Sequence, residues 1–196
     1  MSSGVRILVA GVGNIFLGDD GFGPEVVRSL AGTAQPEGVR LVDYGIRGMH
    51  LAYDLLDGWD GLVLIDAVPG TGEPGAVRVF EAGDTAPAAV RVDAHGMDPA
   101  SVFATLAALG GSRPRTVVVG CQAQCVDEGI GLSPAVAAAV EPAAGGGAAR
   151  RAVAPADRSG RAGRGRRLNR VPGNSRSGDP SARGLRRSAG ARRRRG

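Results

Sequence analysis

Short apolar runs alternate along this chain with segments in which apolar residues recur every three or four positions. Residues 5–10, 38–43, 61–67 and 116–120 are near-continuous runs rich in Val, Ile and Leu. Strands buried on both faces of a parallel sheet read this way. Residues 76–80 alternate instead, which predicts a strand near a sheet edge. Helical spacing follows each buried run. It appears after Pro24, through Met49, Leu51, Ala52, Leu55 and Leu56, through Val102, Leu106 and Leu109, and through Val136, Ala139 and Val140. Asp98 and Ser133 are the expected N-caps of the last two helices, each with Pro behind it. Strands alternating with helices predict an α/β fold: a three-layer, twisted, mostly parallel sheet with helices on both faces.

The stretch 5–23, VRILVAGVGNIFLGDDGFG, organises the rest. Gly11 and Gly13 are expected to break the first strand, and Pro24 to take the first helical position with Glu25 in the first turn. Asp19 and Asp20 then lie at the carboxyl end of a first parallel strand, where open α/β sheets place ligands. One reading is a dinucleotide fingerprint, with Asp43 as the ribose-binding acid. Against it, Phe16 stands where the third glycine belongs, and two carboxylates would repel a pyrophosphate. The other reading is a loop that presents a carboxylate to a metal.

Asp20, Asp66 and His95 each fall just after a strand or in a strand-to-helix loop, so parallel strands should deliver them to one rim. Two carboxylates and an imidazole suit a first-row divalent metal with open positions. The same trio could serve as acid and base without metal. Singly, each has a plainer role: Asp20 as a helix cap, Asp66 bonded to backbone at a strand end, His95 on a surface loop. Asp19 is expected to shape the turn, and His50 to be partly exposed and structural. Cys121 and Cys125 are the only cysteines; they read as free thiols near a strand end, since structural zinc wants four ligands.

Charge divides the chain. Residues 1–149 carry 17 acidic and 8 basic side chains, a net charge of −9; residues 150–196 carry 16 Arg and 2 acids. No Lys occurs. We expect a domain over 1–144 and an Arg/Gly/Ala/Pro-rich tail over 145–196, too poor in large apolar residues to fold. Read functionally, that tail is a disordered basic arm for nucleic acid or acidic surfaces. Its composition also matches a GC-rich gene read out of frame, and a frameshift is the preferred expectation. No run approaches the ~18 apolar residues of a membrane span, and no signal peptide is visible. Cytoplasmic location, a monomer and no nucleic-acid partner are expected.

GVGNIFLGDDGFG, followed in order by DYGIRGMH, LVLIDAV, DAHGM and GIGLSPAV, resembles the hydrogenase maturation endopeptidases over residues 5–144. The resemblance implies a phosphorylase/hydrolase-like three-layer fold and an aspartic-type endopeptidase. Its implied substrate is a nickel-iron hydrogenase large-subunit precursor, whose C-terminal extension it removes. It assigns nickel binding to Asp20, Asp66 and His95, and substrate recognition to Asp43, Gly45 and Gly48. The nickel is implied to arrive with the substrate rather than to reside in the enzyme. Asp20 stands where Glu is frequent in the family, a reach shorter by one methylene. The tail departs from the packed C-terminal helix of other members.

Overall fold

The computed structural model describes residues 4–82 and 99–145. Five strands form one sheet in the order β2-β1-β3-β5-β4. They are β1 (Ile7–Val12), β2 (Val39–Gly45), β3 (Gly61–Val68), β4 (Val77–Glu81) and β5 (Arg115–Gln122). The first three and β5 run parallel, and β4 pairs antiparallel with β5 at the edge. The helices are α1 (Phe22–Ala31), α2 (Gly48–Leu55), α3 (Pro99–Ala108) and α4 (Pro134–Gly145).

The expected three layers are present. Successive side chains of a strand point to opposite faces, and the core divides accordingly. Ile7, Val9, Val63, Ile65 and Val119 pack with Phe22, Val26 and Leu30 of α1 and Val136, Ala139 and Ala143 of α4. Leu8, Ala10, Leu62, Leu64 and Val118 pack with Leu51, Ala52 and Leu55 of α2 and Val102 and Leu106 of α3. Met49, expected on the buried face of α2, is exposed, as are Leu56 and Leu109. His50 is exposed on the same helix.

Three expectations about the first loop need correction. β1 starts two residues later than the apolar run and passes through Gly11 to Val12 without breaking. Gly11 is there for closeness: a Cβ would lie 2.7 Å from Val27 Cγ2 of α1 and against Gly23 O. Pro24 occupies the third position of α1, because a 3-10 turn (Gly18–Gly21) feeds directly into the helix. That placement costs nothing, since N–H groups in the first turn have no helical partner. Finally, Asp20 does not cap α1; Gly21 takes the N-cap position, with no side-chain cap.

Gly23 repeats the theme. A Cβ there would stand on the carbonyl oxygens of both Val12 and Ile65. The start of α1 therefore sits directly on the ends of β1 and β3. The C-terminal segment 146–196, with the expectations made for it, lies outside the described residues.

Backbone oxygens in a strand cannot yield as a flexible side chain can. Gly23→Ala should cost about 1–3 kcal/mol, whereas Gly129→Ala, with open space at its Cβ position, should be near neutral. Urea unfolding of the two variants checks this; equal midpoints would contradict it.

Candidate active site

The chain leaves β1 for β2 on one side of the sheet and reaches β3 on the other. The carboxyl ends of β1 and β3 thus flank the topological switch point, where open α/β sheets form their ligand crevice. Asp20 follows β1 in the 3-10 turn. Asp66 lies near the end of β3, in register with Gly120 of β5.

Asp66 is only 3% exposed. Its carboxylate is bonded to the Ala67 backbone, but Oδ2 has no hydrogen-bond partner among the described residues. Burial, first, and the nearby Asp20 charge, second, push its pKa well above the usual carboxylate range, against the smaller opposing effect of Ala67. A buried polar atom without a partner is costly, so the fold carries this one at a penalty.

Asp20 is half-buried and accepts a 2.6 Å hydrogen bond from the Asn14 backbone N–H on Oδ2. The loop can turn back this tightly because Gly13 has φ 128°, and a Cβ on Gly13 would collide with the Asp20 carbonyl. The structure thus brings Asp20 and Asp66 into electrostatic reach of each other. His95 lies outside the described residues. Among the described residues, no group of three His, Cys, Asp or Glu side chains is placed to hold a metal ion.

Asp19 does more than shape the turn. It is 1% exposed and accepts four hydrogen bonds. Gln124 N (2.8 Å), Cys125 N (3.0 Å) and the Ser133 hydroxyl (3.0 Å) donate to Oδ2. Ser133 N donates to Oδ1 at 2.6 Å. Burial alone would raise its pKa, yet these donors outweigh burial and hold the carboxyl below its usual value. Ser133 does take the N-cap position of α4, accepting from Ala137 N, but its hydroxyl serves Asp19 instead of the helix. Asp19 therefore fastens the loop between β5 and α4 to the turn that carries Asp20. Sequence reading missed this clamp; the one signal was an acid adjacent to Asp20 and a lone Ser-Pro far downstream.

Asp43, Gly45 and Gly48 gather at the end of β2. Asp43 Oδ1 accepts from Gly45 N at 2.9 Å, closing a local turn in which Gly45 adopts φ 53°. Gly45 O accepts from Gly13 N at 3.1 Å, tying this turn to the loop that carries Asp20. Gly48 is the first residue of α2. The Asp43 carboxylate is thus engaged locally, and a 3-10 turn bearing two acids fills the place a pyrophosphate would need. Both observations weigh against a dinucleotide. Cys121 is buried and Cys125 exposed, both free; burial, then the Asp19 charge, pushes the Cys121 thiol up to about 11.

Residues 24–147 match the family model described as hydrogenase maturation protease. The chain belongs to the hydrogenase maturation protease family. The match includes Asp66 and the position of His95, and it begins after Asp20. The hydrogenase expression/formation protein HupD of Rhodobacter capsulatus is 36% identical over 141 residues, covering 69% of this chain and 66% of that protein. The coenzyme F420 hydrogenase subunit delta of Methanothermobacter thermautotrophicus is 38% identical over 81 residues, 39% of this chain and 51% of that one. The chain thus spans between half and two thirds of these two relatives. The structure of the NiFe hydrogenase maturation protease HybD from Thermococcus kodakarensis superposes with a TM-score of 0.63 at 29% identity, covering 76% of this chain and 99% of that one.

In this member of the family the raised pKa of Asp66 has a consequence for stability. In the unfolded chain Asp66 should titrate near 3.9. Between that pH and its higher folded value, the folded state holds the extra proton, so stability falls as pH rises. Asp66→Asn carries no charge at any pH. It should melt higher than the parent at pH 7, with the gain shrinking toward pH 4. Thermal melts across that range check it; a lower melting temperature for the variant at pH 7 would contradict it.

Proposed function

We propose that the protein is an endopeptidase that removes the C-terminal extension of a nickel-iron hydrogenase large-subunit precursor, and that it engages nickel already carried by that precursor. The observation that carries this reading is the buried Oδ2 of Asp66, without a hydrogen-bond partner among the described residues, near a second carboxylate at the switch point. Two carboxylates in one crevice cannot both ionise freely. In the free protein burial and the Asp20 charge favour the protonated form of Asp66. A divalent cation would remove the repulsion and supply a partner to Oδ2, which has none among the described residues. Oxygen donors suit such an ion, and His95 is the third ligand in this reading.

A site of this kind binds a bare cation weakly, because part of the metal's ligand set must come from elsewhere. Cleavage then depends on a substrate that brings the ion already ligated. Asp20 and Asp66 orient the incoming centre, and a cation held there can polarise the scissile carbonyl or activate a water. Asp43, Gly45 and Gly48 recognise the substrate from the neighbouring strand end. Their backbone link to Gly13 keeps that turn in fixed relation to the carboxylates. No helix among the described residues is long and apolar enough to cross a membrane. The reading assigns the work to the cytoplasm and to a monomer.

The test is incubation with nickel-loaded and nickel-free precursor, followed by mass measurement of the product. The parent protein should trim only the loaded precursor. Asp66→Asn and His95→Ala should each lose trimming by at least about 100-fold, the order expected for loss of a group acting on the transition state, while remaining folded. Equal trimming of nickel-free precursor, or normal trimming by Asp66→Asn, would refute the reading.

A further inference from the structure

Phe16 stands where the dinucleotide pattern needs glycine and has no part in the carboxylate site, yet it is 60% exposed, four residues before Asp20. Its loop is stitched to the loop between β5 and α4. Gly18 N donates to Gly129 O at 3.0 Å, Gly129 N donates to Phe16 O at 2.9 Å, and Asp19 N donates to Cys125 O at 3.0 Å. Leu17 and Gly129 form a single parallel β-bridge. Phe16 and Ile130 therefore flank this bridge on neighbouring segments of backbone, with Leu17 half-buried between Phe16 and the turn that follows. Ile130 is 82% exposed, and Ile15 and Val126 on the same two loops are exposed as well.

Exposed large apolar side chains on two loops that backbone bonds hold together are characteristic of an interaction surface. Charge decides what kind. Asp127 and Glu128 are exposed between Val126 and Ile130, and Asp20 stands in the same stitched unit. No basic residue occurs in either loop, 13–21 or 123–133. An acidic, apolar rim repels nucleic acid and anionic lipid surfaces. It fits a polypeptide surface that offers apolar side chains and a positive charge around a cationic centre.

We propose that Phe16 and Ile130, with the neighbouring Glu128, form the docking face for the folded body of the metal-bearing precursor, separate from the Asp43–Gly48 turn. This rests on the peptidase reading above. The docking face sets affinity and position; the carboxylates do the chemistry. Because Asp19 fastens the same loops to the turn carrying Asp20, a partner held on this face is held in register with the carboxylates.

Phe16→Ser and Ile130→Ser, singly and together, are compared with the parent in two measurements on full-length nickel-loaded precursor: equilibrium binding by biolayer interferometry, and trimming kinetics. Both side chains are exposed, so melting temperatures should be unchanged. The double variant should bind at least tenfold more weakly and raise KM by a similar factor, with kcat within twofold of the parent. Glu128→Lys should weaken binding further, and its loss should diminish at high salt. Parent protein that binds precursor without trimming it would sink the peptidase reading and leave the docking face standing. Unchanged binding and KM in the double variant would overturn the docking face alone. So would a concentration-dependent dimer of the parent that Phe16→Ser abolishes without touching precursor affinity, because the face would then belong to a second copy.

Discussion

A buried carboxylate with one unmatched oxygen, set against a second carboxylate, is the constraint on which the rest of this structure turns. Nothing about folding favours it. The Asp66 Oδ2 is sealed from solvent without a donor among the described residues, and Asp20 adds repulsion to the loss of hydration. Such a feature survives in a marginally stable protein when what it does for function outweighs the penalty. Under the proposed function, a cation that arrives with the substrate and is shared by both groups would remove the repulsion and give Oδ2 a partner, while without it burial and Asp20 favour the protonated form of Asp66.

The scaffold spends its closest contacts on keeping that arrangement in place. Gly11, Gly13 and Gly23 let α1, the first loop and the ends of β1 and β3 approach until no side chain fits between them. Asp19 does the complementary work across 105 or more residues of chain, bonding Gln124, Cys125 and Ser133. The two buried acids thus face opposite situations. Asp19 is surrounded by donors that hold its pKa down, while Asp66, with too few among the described residues, has its pKa pushed up. Asp20, between them in function and next to Asp19 in sequence, inherits its position from the clamp.

Much of the fold was legible because buried parallel strands have a plain signature. Residues 61–67 and 116–120 read as strands at sight, and alternation at 76–80 correctly placed β4 at the edge. Asp66 could be singled out as an acid ending an apolar run, a place where an unpaired charge is hard to explain by packing. What the sequence did not reveal depends on distance in space. Gly11 and Gly13 looked like strand breakers, yet Gly11 is a packing site within β1. Pro24 looked like a helix start, but the 3-10 turn before it is set by contacts to residues 125 and 129. The Asp19 clamp joins groups more than a hundred residues apart, and no local pattern announces it. Family resemblance supplied His95 and the Asp43–Gly48 turn with roles that residue types alone leave open.

The central claim concerns the protonation of a single group, and it can be read directly. Carboxyl-labelled aspartate allows the Asp66 resonance to be followed by carbon NMR through a pH titration of the parent protein and of Asp20→Asn. The account predicts that Asp66 titrates well above the ordinary range near 3.9 in the parent. In Asp20→Asn it should fall part of the way back, since burial remains when the neighbouring charge is gone. An ordinary titration in the parent, or a raised value that Asp20→Asn leaves where it was, would contradict it.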